Sequence, residues 1–301
     1  MLQRQDSPVV VLCYFSPAGY RLPAQHFQTV VQTLHAQDVP IVVAQAVLPG
    51  QDPQPVPASV PQLVLQTESV LWHKERLWNI AARQLTDADK LLFLDADIVF
   101  SRGDWLEQCS KALDACDVIQ PFSQCRWLDE RGVPDMHRPP VVAAIRDGET
   151  PRLAKYHTGF GWGMTRQAFE ALGGFYDLSV CGNSDSLFGL SLRDSVGHRQ
   201  VLEWFNNRQD WSVSSPSYQR YRQRAVSLNL SVGVPVGVTV THLWHGRRED
   251  RQYIDRGRLF PRRADREYAT HDAANGLLAW DDVKASNAAV MPYFVGKRDD
   301  G

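Results

Sequence analysis

The sequence predicts an α/β fold with a mostly parallel central sheet that helices cover on both faces. Three observations support this prediction. Apolar, strand-like segments alternate with amphipathic helical segments over the first 122 residues. The first strand segment, PVVVLCYF at 8–15, is continuously apolar and rich in β-branched residues, which is typical of a strand buried on both faces. A proline-rich stretch at 49–61 separates two of the segments and indicates a loop.

The elements of the first half alternate between strand and helix, which favours parallel pairing and a sheet with helices on both sides. Strands are predicted at residues 8–15, 39–47, 90–100 and 117–122. Helices with apolar residues at helical spacing are predicted at residues 25–37, 68–85 and 104–116. The third helix has the clearest pattern, because Trp105, Cys109 and Leu113 fall on one face.

The second half has a weaker periodicity. Residues 129–155 are expected to form a long loop. Residues 158–177 are predicted to join a glycine-rich strand to a short helix, which Thr165 caps and Gly173 ends. Turn residues open the next predicted helix, at 182–197.

The last third of the chain contains one further clear strand pattern. Residues 236–246 alternate between apolar and polar side chains. No pattern assigns residues 203–235. Residues 251–301 contain many charged and small side chains, and we expect them to form a helical or irregular extension that packs on the main domain.

Composition limits the function classes. The net charge of the 301-residue chain is −2, so the protein as a whole has no general attraction to nucleic acid or to anionic membranes. No apolar run reaches the roughly 18 residues of a membrane-spanning helix, and the first ten residues lack a secretory apolar segment. The five cysteines are odd in number and form no CxxC pair, so we expect reduced thiols and a cytoplasmic protein.

Two aspartates interrupt the apolar run KLLFLDADIVF at residues 90–100. Asp95 and Asp97 follow a predicted strand at its carboxyl end, which is where open parallel sheets bind ligands. Side chains alternate along a strand, so both carboxylates are expected to point the same way and to raise each other's pKa. A divalent cation such as Mg²⁺ or Mn²⁺ would relieve that repulsion. The alternative is a turn with two solvated aspartates.

Two enzyme classes place such a pair after an apolar strand. Residues 95–99 formally match the DxDx[TV] motif of haloacid-dehalogenase-like phosphatases, whose first aspartate is a nucleophile. In that class the motif normally lies on the first strand and an acidic pair follows later; here two predicted strands precede it, and no convincing later pair is present. The other class is the nucleotide-sugar glycosyltransferases with a GT-A fold, in which a DXD motif ends a mid-sheet strand.

The segment before the aspartates resembles galactosyltransferase-like GT-A enzymes. In those enzymes a basic residue and an asparagine lie on the helix that precedes the DXD strand. Residues 72–97, WHKERLWNIAARQLTDADKLLFLDAD, have Lys74, Arg76 and Asn79 at the matching positions. The resemblance implies that these side chains lie near the donor, although a solvated helix face would explain the charged pair equally well.

Two later segments extend the resemblance. Residues 158–192 resemble the acceptor segment of the same superfamily, with a glycine-rich strand, a short helix and a GxED-like turn that here contains Asp185. Residues 240–248, VTHLWHGRR, resemble a late strand of polypeptide N-acetylgalactosaminyltransferases and β-galactosyltransferases, in which a histidine completes the metal site. His245 occupies that position, and His242 is the alternative. One departure is Ser184, where the family often has glutamate.

The resemblance covers about residues 9–260, and it implies a division of the chain. Residues 1–250 form the GT-A glycosyltransferase domain, with residues 1–125 as the nucleotide-sugar-binding half and residues 126–250 as the acceptor half. Residues 251–301 are the extension.

The resemblance also implies roles for single residues. The expected metal ligands are Asp97 and His245, with Asp95 beside them in contact with the metal or the ribose, and the expected ion is Mn²⁺ or Mg²⁺. Asp185 is the candidate base of an inverting transfer, although acids are also common at the start of a helix. Trp162 could stack on a sugar, although such an aromatic is more often part of a core.

The expected partners are a nucleotide-sugar donor, for which the family favours a UDP-sugar, and an acceptor glycan, protein or modified DNA base. The arginines between residues 247 and 266 could face phosphates, although acids interrupt them and a solvated, salt-bridged helix is the usual meaning of such a run. Two alternatives to the glycosyltransferase stay open: a dehalogenase-like Mg²⁺-dependent phosphatase and a non-catalytic module that binds nucleotide-sugars.

Overall fold

The computed structural model describes residues 7–180, 182–207, 211–251 and 269–301. Its strands are β1 (Val9–Tyr14), β2 (Ile41–Val47), β3 (Gln62–Gln66), β4 (Lys90–Leu94), β5 (Ile98–Phe100), β6 (Val118–Ile119), β7 (Gln124–Leu128), β8 (Pro134–Arg138), β9 (Gly161–Thr165), β10 (Val232–Gly233), β11 (Thr239–His242), β12 (Ala269–His271) and β13 (Leu278–Trp280). Its helices are α1 (Arg21–Ala36), α2 (Lys74–Gln84), α3 (Trp105–Ala115), α4 (Val141–Arg146), α5 (Arg166–Leu172), α6 (Ser184–Ser191), α7 (Val196–Asn207), α8 (Pro216–Leu228) and α9 (Val283–Gly296).

A seven-stranded sheet forms the centre of the molecule, in the order β10-β6-β9-β4-β1-β2-β3. Strands β4, β1, β2 and β3 pair in parallel. Strand β9 is antiparallel to both of its neighbours, β4 and β6. The α/β class with a largely parallel central sheet flanked by helices is therefore confirmed.

The alternating side chains of the central strands build two cores, one on each face of the sheet. In β1, Val9 and Val11 belong to one core, and Val10 and Leu12 belong to the other. Helices α1 and α3 cover the second core, and α2, α5, α6 and α8 cover the first. Because every one of these β1 side chains is buried, the strand has to be apolar along its whole length, as its sequence is.

A second sheet has four strands, in the order β5-β11-β7-β8. The single strand predicted at 90–100 is wrong, because the chain leaves the central sheet after β4 and enters the second sheet at β5. Asp95 donates its N–H to the carbonyl of Phe160, and the carbonyl of Asp97 accepts the N–H of Leu243. The two aspartates thus stand where one sheet ends and the other begins.

Other predicted boundaries also needed correction. The loop predicted at 129–155 contains β8 and α4, which are too short to produce a clear periodic pattern. The helix predicted from residue 68 begins at Lys74, and the one predicted from residue 25 begins at Arg21. The unassigned stretch 203–235 contains α8 and β10.

The predicted boundaries of α5 are confirmed. The Thr165 side chain accepts the N–H of Ala168, which is the expected N-cap bond. Gly173 ends the helix with φ of 78°, in the left-handed region that glycine adopts without strain.

The part of the extension that the structure describes contains β12, β13 and α9. Its residues Leu278, Trp280 and Phe294 form a third apolar cluster with Leu48 and Leu71 of the main body. Among the described helices, none has the length and apolarity that crossing a membrane requires. The four cysteines in the described ranges are all free thiols, as expected.

Candidate metal centre and active site

One carboxylate and two imidazoles converge at the carboxyl end of β4. The Nε2 atom of His245 lies 2.9 Å from Oδ2 of Asp97, and Nε2 of His242 lies 3.5 Å from the same oxygen. One donor atom from each of the three side chains falls within 4.8 Å of the others. We call these three residues the metal cluster. The predicted approach of His245 to Asp97 is therefore what the structure shows, and His242 joins them.

Backbone contacts bring the metal cluster together. Strand β11 is antiparallel to β5, and its last residue, His242, pairs with Ile98. Gly246, with φ of 79°, turns the chain directly after His245. The guanidinium of Arg251, which is buried, donates a hydrogen bond to the carbonyl of His245. The imidazoles are thus fixed by the fold and not by each other.

The charge state of the cluster suits a cation. Burial favours a raised pKa for Asp97, but the charge and hydrogen bonding of His242, together with the hydrogen bond from His245, hold that pKa well below its usual range. Burial lowers the pKa of His242 to about 4, although the charge of Asp97 opposes the shift. At neutral pH the cluster therefore offers an ionised carboxylate and a neutral imidazole from His242, both in the protonation state that metal binding requires.

One oxygen of Asp97 is free to bind a cation. Oδ1 of Asp97 is buried and has no hydrogen-bond partner among the described residues. A buried polar atom without a partner is costly, and a bound cation would satisfy it. Neighbouring ligands of a six-coordinate ion with bonds of about 2.1 Å lie about 3 Å apart, close to the spacing of the donor atoms here. Two imidazoles with one carboxylate suit Mn²⁺ better than Mg²⁺, which prefers oxygen ligands.

Asp95 has different partners from Asp97. Its two oxygens accept hydrogen bonds from Nζ of Lys74, at 3.0 Å, and from the N–H of Phe160, at 3.2 Å. Burial raises the pKa of Asp95, which the charge of Lys74 opposes and the charge of Asp97 reinforces. The predicted mutual repulsion thus affects only one of the two acids. Because protein donors already occupy both oxygens, we leave Asp95 out of the metal ligands.

Phe160 shapes this part of the site through an unusual backbone conformation. Its φ is 74°, which is rare for a bulky residue and costs on the order of 1 kcal/mol or more. In this conformation both its N–H and its carbonyl bond to Asp95. The ring of Phe160 stacks on His242 at 5.1 Å between centroids. One residue therefore holds both an acid and a histidine of the site.

Asp185 lies in the first turn of α6. Its Oδ1 accepts the N–H of Ser186 at 2.7 Å, and Asn183, not Asp185, is the N-cap residue. A Cβ added at Gly159 would lie 2.8 Å from Oδ2 of Asp185. Glycine at residue 159 therefore leaves room for the carboxylate. The charge of Asp185 helps to raise the pKa of Lys74 well above its usual value, against the effect of burial. Asp185 and Lys74 therefore share one electrostatic environment.

Two titratable groups near Asp185 had no predicted role. Burial raises the pKa of Glu75 to about 7, with Lys74 opposing the shift and Asp185 reinforcing it. Burial lowers the pKa of His157 to about 3, although the charge of Asp185 opposes this. The His157 ring packs against Trp127 at 4.7 Å. Adjacency to Lys74 was the only sequence signal for Glu75, and His157 had none.

Arg76 and Asn79, which were predicted to lie near the donor, bind another part of the protein. Arg76 pairs with Asp177 at 3.1 Å and donates to the carbonyl of Gly276. Asn79 is buried; it donates to the carbonyl of Phe175 and to Asp177 and accepts the N–H of Phe175. Both side chains therefore fix the turn after α5 against α2, and we assign neither to the donor.

Trp162 lies in the core. Its side chain is 0% exposed and packs edge-on against Phe188, with ring centroids 4.7 Å apart. It pairs with Phe93 across the antiparallel strands β4 and β9. A ring that is fully enclosed by protein cannot stack on a sugar, so packing is the interpretation that the structure favours.

The arginine-rich run between 247 and 266 lies mostly outside the described residues. Within the described part, Arg248 pairs with Asp135 at 2.5 Å and its guanidinium lies 5.8 Å from the Trp127 ring centroid. Arg251 is buried against His245, as noted above. A phosphate-facing surface therefore stays a prediction.

Two surface hollows lie away from the metal cluster. One, of about 280 Å³, lies beside Arg83 and Arg166; the other, of about 340 Å³, lies between Arg199 and Arg222. Neither is lined by a residue of the metal cluster. The arrangement of chemical groups, and not cavity size, distinguishes the site.

No family model and no curated protein matches the sequence. Among solved structures, a mutant of Drosophila β1,4-galactosyltransferase 7 in complex with manganese, UDP-galactose and xylobiose is 11% identical with a TM-score of 0.43, and the match covers 94% of this chain and 98% of that one. Glucosyl-3-phosphoglycerate synthase from Mycobacterium tuberculosis, in complex with Mn²⁺, UDP and phosphoglyceric acid, is 10% identical with a TM-score of 0.31, over 67% of this chain and 64% of that one.

A third similar structure belongs to another kind of enzyme. The 4-diphosphocytidyl-2C-methyl-D-erythritol synthase of Anaerococcus prevotii is 10% identical with a TM-score of 0.31, over 67% of this chain and 85% of that one. The similar structures thus include sugar transferases that bind UDP and manganese, together with a related type of transferase. At these identities and TM-scores they do not establish a family for this chain.

Proposed function

We propose that this protein is a metal-dependent transferase that moves a sugar from a nucleotide-sugar to an acceptor hydroxyl. The observation that supports this most strongly is the metal cluster: an ionised Asp97 between two imidazoles, at the carboxyl end of a central parallel strand, with an unpartnered buried oxygen. Open α/β sheets bind their ligands at this end. A UDP-sugar is the donor that the sequence resemblance favours.

Breaking the bond between the sugar and a diphosphate leaves negative charge on the diphosphate. Asp97, His242 and His245 would hold a cation, which would supply positive charge to stabilise this leaving group. Lys74 adds a second positive charge nearby, and its raised pKa keeps it protonated at neutral pH. Because Asp95 holds Lys74 at 3.0 Å, the ammonium group is fixed before substrate arrives.

Asp185 is the residue that we propose as the base. Oδ1 of its carboxylate is fixed by Ser186, which leaves Oδ2 to accept a proton. The acceptor hydroxyl would give its proton to Oδ2 while its oxygen forms a bond to the anomeric carbon, and the bond from that carbon to the diphosphate breaks with both electrons leaving on the diphosphate. Attack opposite the leaving group inverts the anomeric centre.

The two alternative functions, a phosphatase and a non-catalytic module, make different demands on the residues of the site. A phosphatase of the dehalogenase type needs Asp95 as a free nucleophile, but here both of its oxygens accept hydrogen bonds. A binding module would hold the donor without turnover. Neither alternative has a use for both imidazoles and Asp185 together, so we favour the transferase.

A thermal-shift screen against UDP-, GDP-, CMP- and TDP-sugars, with and without Mn²⁺, tests the proposal. We expect one nucleotide class to raise the melting temperature only when Mn²⁺ is present, because bound ligand stabilises the folded state. The single variants Asp97→Ala and His245→Ala should remove that increase and the transfer activity, while the melting temperature without ligand stays near that of the parent.

His35→Ala is the matched control, since His35 is exposed in the last turn of α1 and is not part of the metal cluster. Its Mn²⁺-dependent shift should equal that of the parent protein. Full turnover of Asp97→Ala and His245→Ala in EDTA would refute a metal-dependent mechanism. Release of phosphate from phosphomonoesters, without any response to nucleotide-sugars, would favour the phosphatase.

A further inference from the structure

A buried acid from the extension lies beside the metal cluster and has no part in the proposed chemistry. Oδ1 of Asp299 is 3.2 Å from Nδ1 of His245, on the side of the ring opposite to Asp97. The Asp299 side chain is only 4% exposed. A buried carboxylate therefore faces a ring nitrogen of a proposed metal ligand.

The two facing atoms have no other partner. Nδ1 of His245 and Oδ1 of Asp299 are both buried, and neither has an aligned hydrogen bond within the described residues. The second oxygen of Asp299 is held by Nζ of Lys297 at 2.8 Å. Two orphaned atoms at 3.2 Å are close enough to bond after a small rotation of the imidazole ring. The pair is therefore arranged for a hydrogen bond that is not yet aligned.

We propose that Asp299 is a positioning residue of the metal centre: it accepts a hydrogen bond from Nδ1–H of His245 and so favours the tautomer in which Nε2 is free to bind a cation. This inference rests on the metal site of the proposed function. It adds a residue that lies 54 positions away from His245 in the chain and outside every motif of the sequence.

The proton on the ring explains why such a partner matters. Without metal, Nε2 of His245 lies 2.9 Å from the Asp97 carboxylate, which favours the opposite tautomer, with the ring proton on Nε2. A metal ligand needs the lone pair of Nε2, so the proton of a neutral ring has to reside on Nδ1. A carboxylate at Nδ1 stabilises that tautomer and orients the ring.

The chain around His245 is shaped to let Asp299 approach. A Cβ at Gly246 would lie 2.5 Å from the carbonyl oxygen of Arg298 and 3.1 Å from Cα of Asp299. No side chain fits between the two segments, and the φ of 79° at Gly246 also favours glycine. The close packing of these two segments is therefore an independent sign that the position of Asp299 relative to His245 is specified.

Mn²⁺ titrations of the purified protein, followed by the electron paramagnetic resonance signal of free Mn²⁺, test the proposal. Asp299→Ala should weaken Mn²⁺ binding about 10- to 100-fold, the usual effect of losing an outer partner of a ligating histidine. Asp299→Asn retains an oxygen that can accept a hydrogen bond from Nδ1–H, so it should recover most of the affinity. Gly246→Ala, which displaces the same segment, should weaken binding in the same direction.

Asp300→Ala is the matched control. Asp300 follows Asp299 in the chain, but its carboxylate accepts the N–H groups of Arg21 and Leu22 at the start of α1. Its Mn²⁺ affinity should stay close to that of the parent. If Asp299→Ala binds Mn²⁺ as tightly as the parent, or if Asp300→Ala is weakened equally, Asp299 has no specific role.

A spectroscopic readout separates positioning from a loss of packing. Long-range ¹H–¹⁵N spectra of the imidazoles in the metal-free protein should show a larger fraction of His245 protonated at Nδ1 in the parent and in Asp299→Asn than in Asp299→Ala. The signal of His245 is identified by its loss in His245→Gln. An Nδ1 that remains protonated to the same extent in folded Asp299→Ala would overturn the proposal.

The failure of this inference can be told apart from a failure of the proposed function. If the parent protein does not bind Mn²⁺ at all, the metal site itself is wrong and the role of Asp299 falls with it. If the parent binds Mn²⁺ and Asp299→Ala binds it equally well, only the role of Asp299 is refuted.

Discussion

Asp95 and Asp97 show how two identical residues, separated by one position, acquire different properties. Asp95 accepts hydrogen bonds from Lys74 and Phe160, and burial raises its pKa. Asp97 faces His242 and His245, and its pKa is lowered despite burial. The first acid therefore holds a cationic side chain, and the second is available to a metal ion. Their partners, and not their spacing, decide these roles.

Asp185 gives the first prediction at the residue scale. The variant Asp185→Asn cannot accept a proton, so the turnover number should fall by about 10²- to 10⁴-fold. The affinity for the nucleotide-sugar, measured by isothermal titration calorimetry, should change little, because the change removes only the proposed base. Asp194→Asn, an exposed acid paired with Arg199, is the control and should turn over normally. Normal turnover of Asp185→Asn would exclude Asp185 as the base.

Glu75 gives a prediction about pH. Its pKa rises from 4.5 to about 7 on folding because the side chain is buried. Between these two values the unfolded chain loses the proton first, so the folded state becomes less stable as pH rises, and the full penalty is present above about pH 7. Glu75→Gln removes the penalty and should raise the free energy of unfolding at pH 8 by about 1–3 kcal/mol, with little gain at pH 5.

Urea unfolding at the two pH values measures this difference. Glu107→Gln is the control, because Glu107 is exposed on α3 in an ion pair with Lys111, and it should show no such pH dependence. An equal stability change for Glu75→Gln at pH 5 and pH 8 would show that Glu75 titrates normally in the folded protein.

The sequence predicted some residues of the site and not others, for a physical reason. Asp97 and His245 belong to local patterns, a polar break in an apolar strand and a histidine after a late strand, and such patterns survive in the linear chain. Glu75 and Asp299 act through burial and through neighbours distant in sequence. Nothing in the residues around Asp299 indicates that it will face His245.

At the scale of elements, α2 serves two purposes on different faces. Its first turn presents Lys74 and Glu75 to the acids of the site, and its next residues face the turn that follows α5. Asn79 is the centre of the second contact, with three hydrogen bonds to Phe175 and Asp177. The helix therefore links the position of Lys74 to the segment that leads into α6 and Asp185.

Asn79→Ala is the prediction that belongs to this scale. The variant leaves the buried N–H and carbonyl of Phe175 without their partner, which should cost about 2–4 kcal/mol in the free energy of unfolding, measured in urea. Arg83→Ala is the control: Arg83 is exposed and donates one bond to Gly173, so its effect should stay within about 1 kcal/mol. Equal stability of the two variants would show that the Asn79 bonds do not anchor the turn.

Elements were predicted well where their pattern was long, and poorly where it was short. Helices α1 and α3 repeat an apolar stripe over several turns, and the sequence located both. Strand β8 and helix α4 have five and six residues, too few for a period to emerge, and they fall in the stretch that was expected to be a loop. Strand β3 was missed because its side chains alternate between exposed and half-buried, with little apolar signal.

At the scale of the whole molecule, the α/β class and the order of the first elements could be predicted, because β1, β2 and β4 are apolar along most of their length. The second sheet could not, since its strands come from four separate stretches of sequence and only tertiary contacts bring them together. The third apolar cluster, between the extension and Leu48, Val70 and Leu71, also depends on contacts across more than 200 positions.

The segment 95–97 is the shortest of the connections between strands of the two sheets. Hydrogen bonds tie Asp95 to the central sheet through Phe160 and Asp97 to the second sheet through Leu243, which leaves Ala96 as the whole span. The length of this segment therefore sets the position of Asp97 relative to Asp95. One inserted residue would leave each sheet able to fold. It would, however, displace Asp97 from the two histidines. The residues of the site on the first sheet would then be separated from those on the second.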